Sequence, residues 1–570
     1  MVAGEENGSS RNRPFHVIEK NPVTRILKIA ATSLALAAGL AGTAQAADVF
    51  VNSDISTSTV WTEDNVYRLQ GQIYVLPGAT LTIQPGTIVA SPTGVGGSLA
   101  VAKGAQIFVM GQKNAPVVMT SQADQQTWKT PRNPTTGTWR ESANEWGNLT
   151  IMGNAYISED ATVGNVPTPN SSNVAAMEGL VADFVGDTKV LYGGGNDGDD
   201  SGTIKYLSLR YGGRVIGLNN ELNGLSLGGI GRGTDIHHID IMNNVDDGVE
   251  IWGGTVNLKY VNIWNVGDDS FDVDQGWRGK AQFILIVQGF SEDASQGSGV
   301  GDNAFEFDGA EDSDWQPVTT ATIYNATVVG QPLSGDHGTA WRDNARVQMR
   351  NCVFMDLGEQ LVKFDGDDGD GASGYGHNGT LSWADTWTTD YTATSTVNAP
   401  LSPAAFYQSQ SSGKLAELTD SVFFRNFNPS AYTEASARGV LGAGSNNVLI
   451  PGFDPIDSPL ARVSRGPLVT KGGKQQLQVV GLDPRPRGPA ATSVSAAPGD
   501  GFFTSANYRG AFAPGRRPWI SGWTAAANFG FLNPDVVDPV NSGGTNGTSG
   551  GAVNPAAGTG TASGGTITVR

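Results

Sequence analysis

Asn243-Asn244-Val245-Asp246-Asp247-Gly248-Val249-Glu250-Ile251 is answered by Asn265-Val266-Gly267-Asp268-Asp269-Ser270-Phe271-Asp272-Val273, 22 residues on from Asp246 to Asp268. A repeat of that length is too short to be a domain. Built from β-formers closed by Gly, Asn and Asp, it marks a solenoid whose turns stack on one another. Stacking these turns sets acid upon acid.

Working outward, one strand type recurs as Ile204-Lys205-Tyr206-Leu207-Ser208-Leu209, Ile236-His237-His238-Ile239-Asp240-Ile241, Leu258-Lys259-Tyr260-Val261-Asn262-Ile263 and Val347-Gln348-Met349-Arg350. A second recurs as Val249-Glu250-Ile251-Trp252, Phe271-Asp272-Val273-Asp274, Phe305-Glu306-Phe307-Asp308 and Val362-Lys363-Phe364-Asp365. Its first and third residues are apolar and point inward, so its second and fourth point out. The outward columns are then Glu250, Asp272, Glu306, Lys363 and Trp252, Asp274, Asp308, Asp365, with the 338–343 turn a candidate for one further rung. Towards the N-terminus, Gln72-Ile73-Tyr74-Val75, Leu81-Thr82-Ile83, Leu99-Ala100-Val101 and Gln106-Ile107-Phe108-Val109 read as the first rungs, with Pro-Gly and Gly-Ala corners. The stretch 121–201 reads as one rung around Trp146-Gly147-Asn148-Leu149 with long loops on either side.

The fold expected is all-β, a right-handed parallel β-helix with a C-terminal cap. The repeat weakens from about Gly379, and a closing module runs from Leu482 to Trp523, where a cap would cover the unpaired edges of an open solenoid end. Residues 535–570 hold almost no large apolar side chain and read as a disordered tail. Residues 1–46 read as a signal peptide: Arg25 and Lys28 precede the apolar run from Ile29 to Leu40, and Ala44-Gln45-Ala46 supplies the cleavage site. The mature chain, 47–534, is therefore expected to be exported, in the periplasm, at the cell surface or outside the cell, with no second apolar run long enough to span a membrane.

The net charge of −19 argues against nucleic acid, whose phosphates would be repelled, and favours cations, basic partners or neutral glycans. With Cys352 the only cysteine, no intramolecular disulfide forms, and its strand-like setting reads as a buried thiol.

Leu81-Thr82-Ile83-Gln84-Pro85-Gly86-Thr87, Trp146-Gly147-Asn148-Leu149, the Asp-Asp-Gly and Gly-Asp-Asp rungs, and the Gly510-Ala511-Phe512 and Gly522-Trp523-Thr524 ending resemble a family of exported bacterial parallel β-helix proteins of pectin-lyase-like shape. The resemblance covers roughly residues 62–531. It implies a surface location and assigns no reaction.

Neighbouring rungs of a parallel stack lie about 4.8 Å apart. Asp246 and Asp247 should lie beneath Asp268 and Asp269, and Glu250 beneath Asp272. Bare carboxylates at that spacing repel by roughly 1 kcal/mol in water and several-fold more where water is excluded. A bound hard cation, nearby bases or protonation would relieve them. The first predicts calcium on Asp246, Asp247, Glu250, Asp268, Asp269, Asp272 and Asp274; the five histidines are too scattered for a zinc site. Asn196-Asp197-Gly198-Asp199-Asp200 and Asp365-Gly366-Asp367-Asp368-Gly369-Asp370 are further calcium candidates.

The leading functional expectation is a carbohydrate-associated binding or structural protein stabilised by calcium, its polysaccharide or surface glycan lying along the acidic rungs. The alternative is a polysaccharide-degrading enzyme. The two-rung motif is similar to the centre of polygalacturonase-type hydrolases, and that similarity implies Asp247, Asp268 and Asp269 as an inverting acid–base set. Arg278-Gly279-Lys280 stands, earlier than in those enzymes, for their substrate-binding Arg-x-Lys, and their Gly-His-Gly is missing, the nearest being Asp336-His337-Gly338. A calcium-dependent lyase would instead take its base from Lys280, Arg278, Arg232 or Arg342. Trp252, Trp264, Trp277 and Trp341 offer flat surfaces for sugar rings. His237 and His238, adjacent on a strand, should face opposite ways and not share an ion.

Overall fold

The computed structural model describes residues 47–532 apart from 160–168, 218–219, 291–300, 311–314, 365–380, 394–405, 426–444, 452–453 and 472. The expected signal peptide and C-terminal tail, and the Asp365–Asp370 loop, lie outside the described residues.

Alternation decides which face of each strand enters the core. Val249, Ile251, Phe271, Val273, Phe305 and Phe307 are all fully buried in one interior cluster that extends from Ile55 to Phe423. Strands Gln72–Val75, Ser98–Val101, Leu149–Met152, Leu225–Ile230, Val249–Gly254 and Phe271–Asp274 form a parallel sheet in chain order, one strand per rung. A bridge from Phe271 to Phe305 passes it on to the parallel strands Glu306–Phe307, Thr339–Trp341 and Val362–Phe364. A 17-stranded sheet closes the other sides of the coil. The chain is thus an all-β parallel β-helix. Leu149–Met152 is the rung expected between the long loops, and Thr339–Trp341 is the additional rung.

The long strands of the large sheet pass through a bend. Gly202–Arg210 pairs with Asp235–Met242, but the register steps from Lys205↔His237 to Leu207↔Ile239 across Tyr206 and His238. Tyr206, His238, Tyr260 and Phe283 all have left-handed backbone, with φ of 49°, 57°, 62° and 61°. For bulky residues this conformation is rare, and here it recurs on four successive rungs. It throws their rings outward into a stack with centroids 4.2, 4.3 and 4.9 Å apart. The bend also corrects the expectation for His237 and His238. Strand alternation fails at a left-handed residue, so the two rings face each other, Nδ1 to Nδ1, at 2.8 Å.

The closing module packs along the flank of the large sheet. Thr504 O accepts from Gln282 Nε2, Tyr508 O from Asn325 Nδ2, and Gly510 N donates to Asn351 O, each within 2.8 Å. Further along, Ala525 N donates to Asp240 Oδ2 at 2.8 Å. The segment seals a second core that includes Trp264, Leu285, Val329, Val353, Phe512, Ile520 and Phe531. An antiparallel hairpin, Leu460–Lys471 with Lys474–Pro486, precedes it. The module therefore straps the rungs sideways instead of covering only a terminal rung. The cause is the bend, which turns large apolar side chains out of the large sheet and leaves them in need of cover. Cys352 is fully buried, and burial pushes its thiol up to about 12, so it is an inert core thiol.

Candidate functional site

Where the chain turns into the small sheet, side chains and backbone interlock from rung to rung. Asp247 N donates to Asn223 Oδ1 at 3.0 Å, Asp269 N to Asp247 Oδ1 at 2.8 Å and Asn303 N to Asp269 Oδ1 at 2.5 Å. An Asn or Asp at this position thus supplies an acceptor for the next rung, which is why the motif repeats. One oxygen each of Asp247 and Asp269 is committed to the scaffold. The neighbouring position carries Asp246, Asp268 and Asp302 in successive rungs, and the strand beyond pairs Glu250 with Asp272 and Trp252 with Asp274. Apart from Asp302, these are the neighbours expected from the sequence.

Together these residues line a cleft of about 340 Å³ formed by Glu178, Asp246, Asp247, Glu250, Trp252, Asp268, Asp269, Asp272, Asp274, Asp302, Glu306, Asp308 and Arg342. Eleven carboxyl groups face one guanidinium. Three subsets bring carboxylate oxygens within 4.8 Å of one another: Asp246 with Asp247 and Asp268, Asp247 with Glu250 and Asp272, and Asp268 with Asp269 and Asp302. Burial, then repulsion by neighbouring acids, pushes Asp247, Glu250, Asp268, Asp269 and Asp272 far above the usual carboxylate range. Burial and neighbouring acids likewise raise Asp246 and Glu178 to about 7.

Two lining residues escaped the repeat. Glu178 comes from a loop with no periodicity, and Asp302 belongs to a rung offset by 34 residues, against 22 for its predecessor, as the Phe271–Phe305 bridge shows. The outer columns also differ from expectation. Ala340 stands between Glu306 and Lys363, and the rung of Thr339–Trp341 brings Arg342 beside Asp308. Arg342 Nε lies 2.7 Å from Asp308 Oδ1, and its Nη2 lies 2.6 Å from Glu306 Oε1. Burial opposes its charge, but these acids outweigh that and raise its pKa, which favours the charged guanidinium.

Four substrate-contact candidates part company. Trp252 lines the cleft and packs against Tyr192. Trp277 is fully buried in the interior, donating from Nε1 to Val256 O at 2.9 Å. Arg278 is buried in a fork on Asp197, at 2.5 and 2.8 Å, with its guanidinium 4.1 Å from the Phe406 ring. Lys280 opens a strand of the large sheet and pairs with Asp500 at 2.6 Å. The reason is local: Gln275 and Gly276 turn the chain out of the small sheet with φ of 50° and 80°. Trp264 and Trp341 are fully buried too. In the Asn196–Asp200 loop, Asp197 is thus paired with Arg278 and lies 3.8 Å from Arg232 Nη2.

A family model described as a pectate-lyase-like β-helix domain matches residues 53–421. The chain belongs to that family. No curated protein and no solved structure matches it. Within the matched β-helix domain the cleft offers oxygen ligands alone, the donor set of hard cations. Its only basic lining residue among those described is Arg342, already clamped by two acids. No helix among the described residues is long and apolar enough to cross a membrane.

Proposed function

We infer that this carbohydrate-associated β-helix holds calcium in its acidic cleft and binds an exported or surface polysaccharide there, as a binding or structural protein. The observation that carries the reading is the lining itself: eleven carboxyl groups converge on one cleft against a single arginine. Ions of charge +2 on Asp246, Asp247 and Asp268, and on Asp268, Asp269 and Asp302, would replace repulsion by coordination. Glycan hydroxyls or carboxylates would complete the open coordination positions, with the edge of the largely buried Trp252 in the lining beside them.

The degradative alternative asks more of the same residues. Asp247 and Asp269 each support the next rung, and no free base faces the cleft among the described residues. Calorimetric titration of the full chain with calcium, followed by polyuronate and neutral glycan oligomers, tests the reading. Calcium binding that Asp268→Asn weakens, with glycan binding that needs calcium and produces no shortened or unsaturated products, is the expected result. Calcium-dependent turnover abolished by Asp269→Asn would establish an enzyme instead, and absence of calcium binding would overturn the cation reading.

A further inference from the structure

Lys129-Thr130-Pro131-Arg132-Asn133-Pro134-Thr135-Thr136 is a loop held by its own hydrogen bonds. Asn133 N donates to Thr130 O and Thr136 N to Asn133 O, each at 3.1 Å, and the Asn133 side chain accepts from Thr135 N at the same distance. Pro131 and Pro134 stiffen its two arms. Between them Arg132 has left-handed backbone, with φ of 61°. Such a position favours glycine or asparagine, so the turn itself gives no reason for a long cationic side chain.

Beside the loop lies a cavity of about 230 Å³, bounded by the outer face of the large sheet and by the closing module. Ile88 and Val118, partners on adjacent rungs, belong to a small outer cluster and are 2% and 1% exposed, so they form an apolar floor. Arg132, Asn114 and Asn528 add polar walls, the last from the short helix Ala525–Asn528, which packs on the turn Pro134–Thr136. Among the described residues no carboxyl group lines this cavity. Arg140, Arg342, Arg350 and Arg485 each hold a carboxylate at 2.5 or 2.6 Å, whereas Arg132 pairs with none among the described residues. Arg132 Nε and Asn528 Nδ2 are both buried without a hydrogen-bond partner. Buried donors are ordinarily satisfied, and a guanidinium stays cationic at any ordinary pH. A cavity with a cation, unspent donors and no acid asks for an anion.

We propose that this cavity is a second ligand site, one that takes a single carboxylate-bearing sugar ring without calcium. The carboxylate lies on Arg132 and Asn528, and the ring's C–H face lies on Ile88 and Val118. A planar guanidinium matches the two oxygens of a carboxylate, and the charge strengthens the bonds. Pockets for drug-sized ligands run to about 300–1,000 Å³; this one is smaller, so it suits one ring or a chain end and not a run of chain. The acidic cleft repels the same carboxylate unless a cation bridges the two, so the sites differ in what they require from solution. The choice of a sugar rests on the carbohydrate-associated reading of the chain, whereas the preference for an anion rests on the lining alone.

The test is calorimetric titration of the full-length chain, freed of divalent ions on chelating resin, with galacturonate, its neutral counterpart galactose, and acetate. Galacturonate should bind more tightly than acetate, and galactose should not bind. Arg132→Gln should weaken galacturonate about tenfold or more while leaving the melting temperature of the unliganded chain unchanged. Arg132→Lys, which keeps the charge and loses the planar fork, should fall between that variant and the parent. Asp268→Asn, which weakens the calcium site, should leave galacturonate binding intact, so the two readings fail separately. Galactose or acetate binding as tightly as galacturonate, galacturonate binding that appears only with calcium, or binding unchanged in Arg132→Gln would overturn the proposal.

Discussion

On the flank covered by the closing module, Tyr206, His238, Tyr260 and Phe283 stack rung upon rung; at the cleft, Asp246, Asp268 and Asp302 do the same. Like on like has opposite consequences in the two places. Aromatic pairs add roughly 0.5–1.5 kcal/mol each beyond their burial, and Trp519 and Trp523 pack edge-on against the stack, 5.4 Å from Tyr260 and 5.3 Å from Tyr206. Stacked carboxylates repel by roughly 1 kcal/mol per pair even in water. The flank therefore closes upon itself, while the acidic face carries a repulsion that protons or cations from outside would relieve. A region whose own residues leave its electrostatics unbalanced is where a ligand is expected.

The sharpest way to break this comparison is at the flank. Trp523 is fully buried against the stack, so Trp523→Ala should lower unfolding free energy by about 3–5 kcal/mol in urea denaturation. A loss under about 1 kcal/mol would show that the strap is not integral to the rungs.

At the cleft the next effect is a pH dependence of inverted sense. Unfolded carboxyls titrate near about 4, whereas burial and neighbouring acids push Asp246 and Glu178 up to about 7 in the folded chain and raise five neighbours well above the ordinary carboxylate value. Between those values the folded state holds more protons than the unfolded one. Stability is thus fully present below about pH 4 and falls as pH rises through 7. With chelator, the melting temperature should drop between pH 5 and 8; with calcium the drop should shrink or vanish. A melting temperature that rises over this interval in chelator would refute the electrostatic account.

Single substitutions sharpen the same point. Asp269→Asn keeps an acceptor for Asn303 N and removes one charge, so in chelator it should be neutral or stabilising by about 1 kcal/mol. Asp269→Ala leaves that buried N–H unpaired and should cost about 1–3 kcal/mol. Equal effects of the two would deny the ladder bond its role. The smallest change is expected for His238→Phe. Burial holds that imidazole at about 3, hence neutral at ordinary pH, and a ring of similar size should shift stability by less than about 1.5 kcal/mol in thermal melts.

Much of the cleft was legible because its residues sit on strands of period two and on one repeated turn. Val249 and Ile251 point in, Glu250 and Trp252 point out, and the 22-residue offset places Asp247 under Asp269. All seven expected cation ligands line one cleft. Structure and periodicity part where that period breaks. Trp277, Arg278 and Lys280 follow Asp274 closely in sequence, yet the turn at Gln275 and Gly276 sends them to the core, to an arginine fork and to the other sheet. His237 and His238 meet because a left-handed residue cancels alternation. Glu178 carries no periodic signal, and the long insertion before Asp302 hides its place in the ladder.

The stacked parallel architecture, the inward and outward faces of each rung and the convergence of acids are readable from residue order alone, since they follow from local periodicity and from steric alternation along extended backbone. Which acids share a cleft, the pairing of Arg342 with Glu306 and Asp308 at its far side, the place of His337 in line with the aspartates and the path of the closing module along the flank emerge only in the folded chain. Those outcomes depend on insertions between rungs and on bends at single residues. Their consequences appear only when distant segments are brought within a few ångströms of each other.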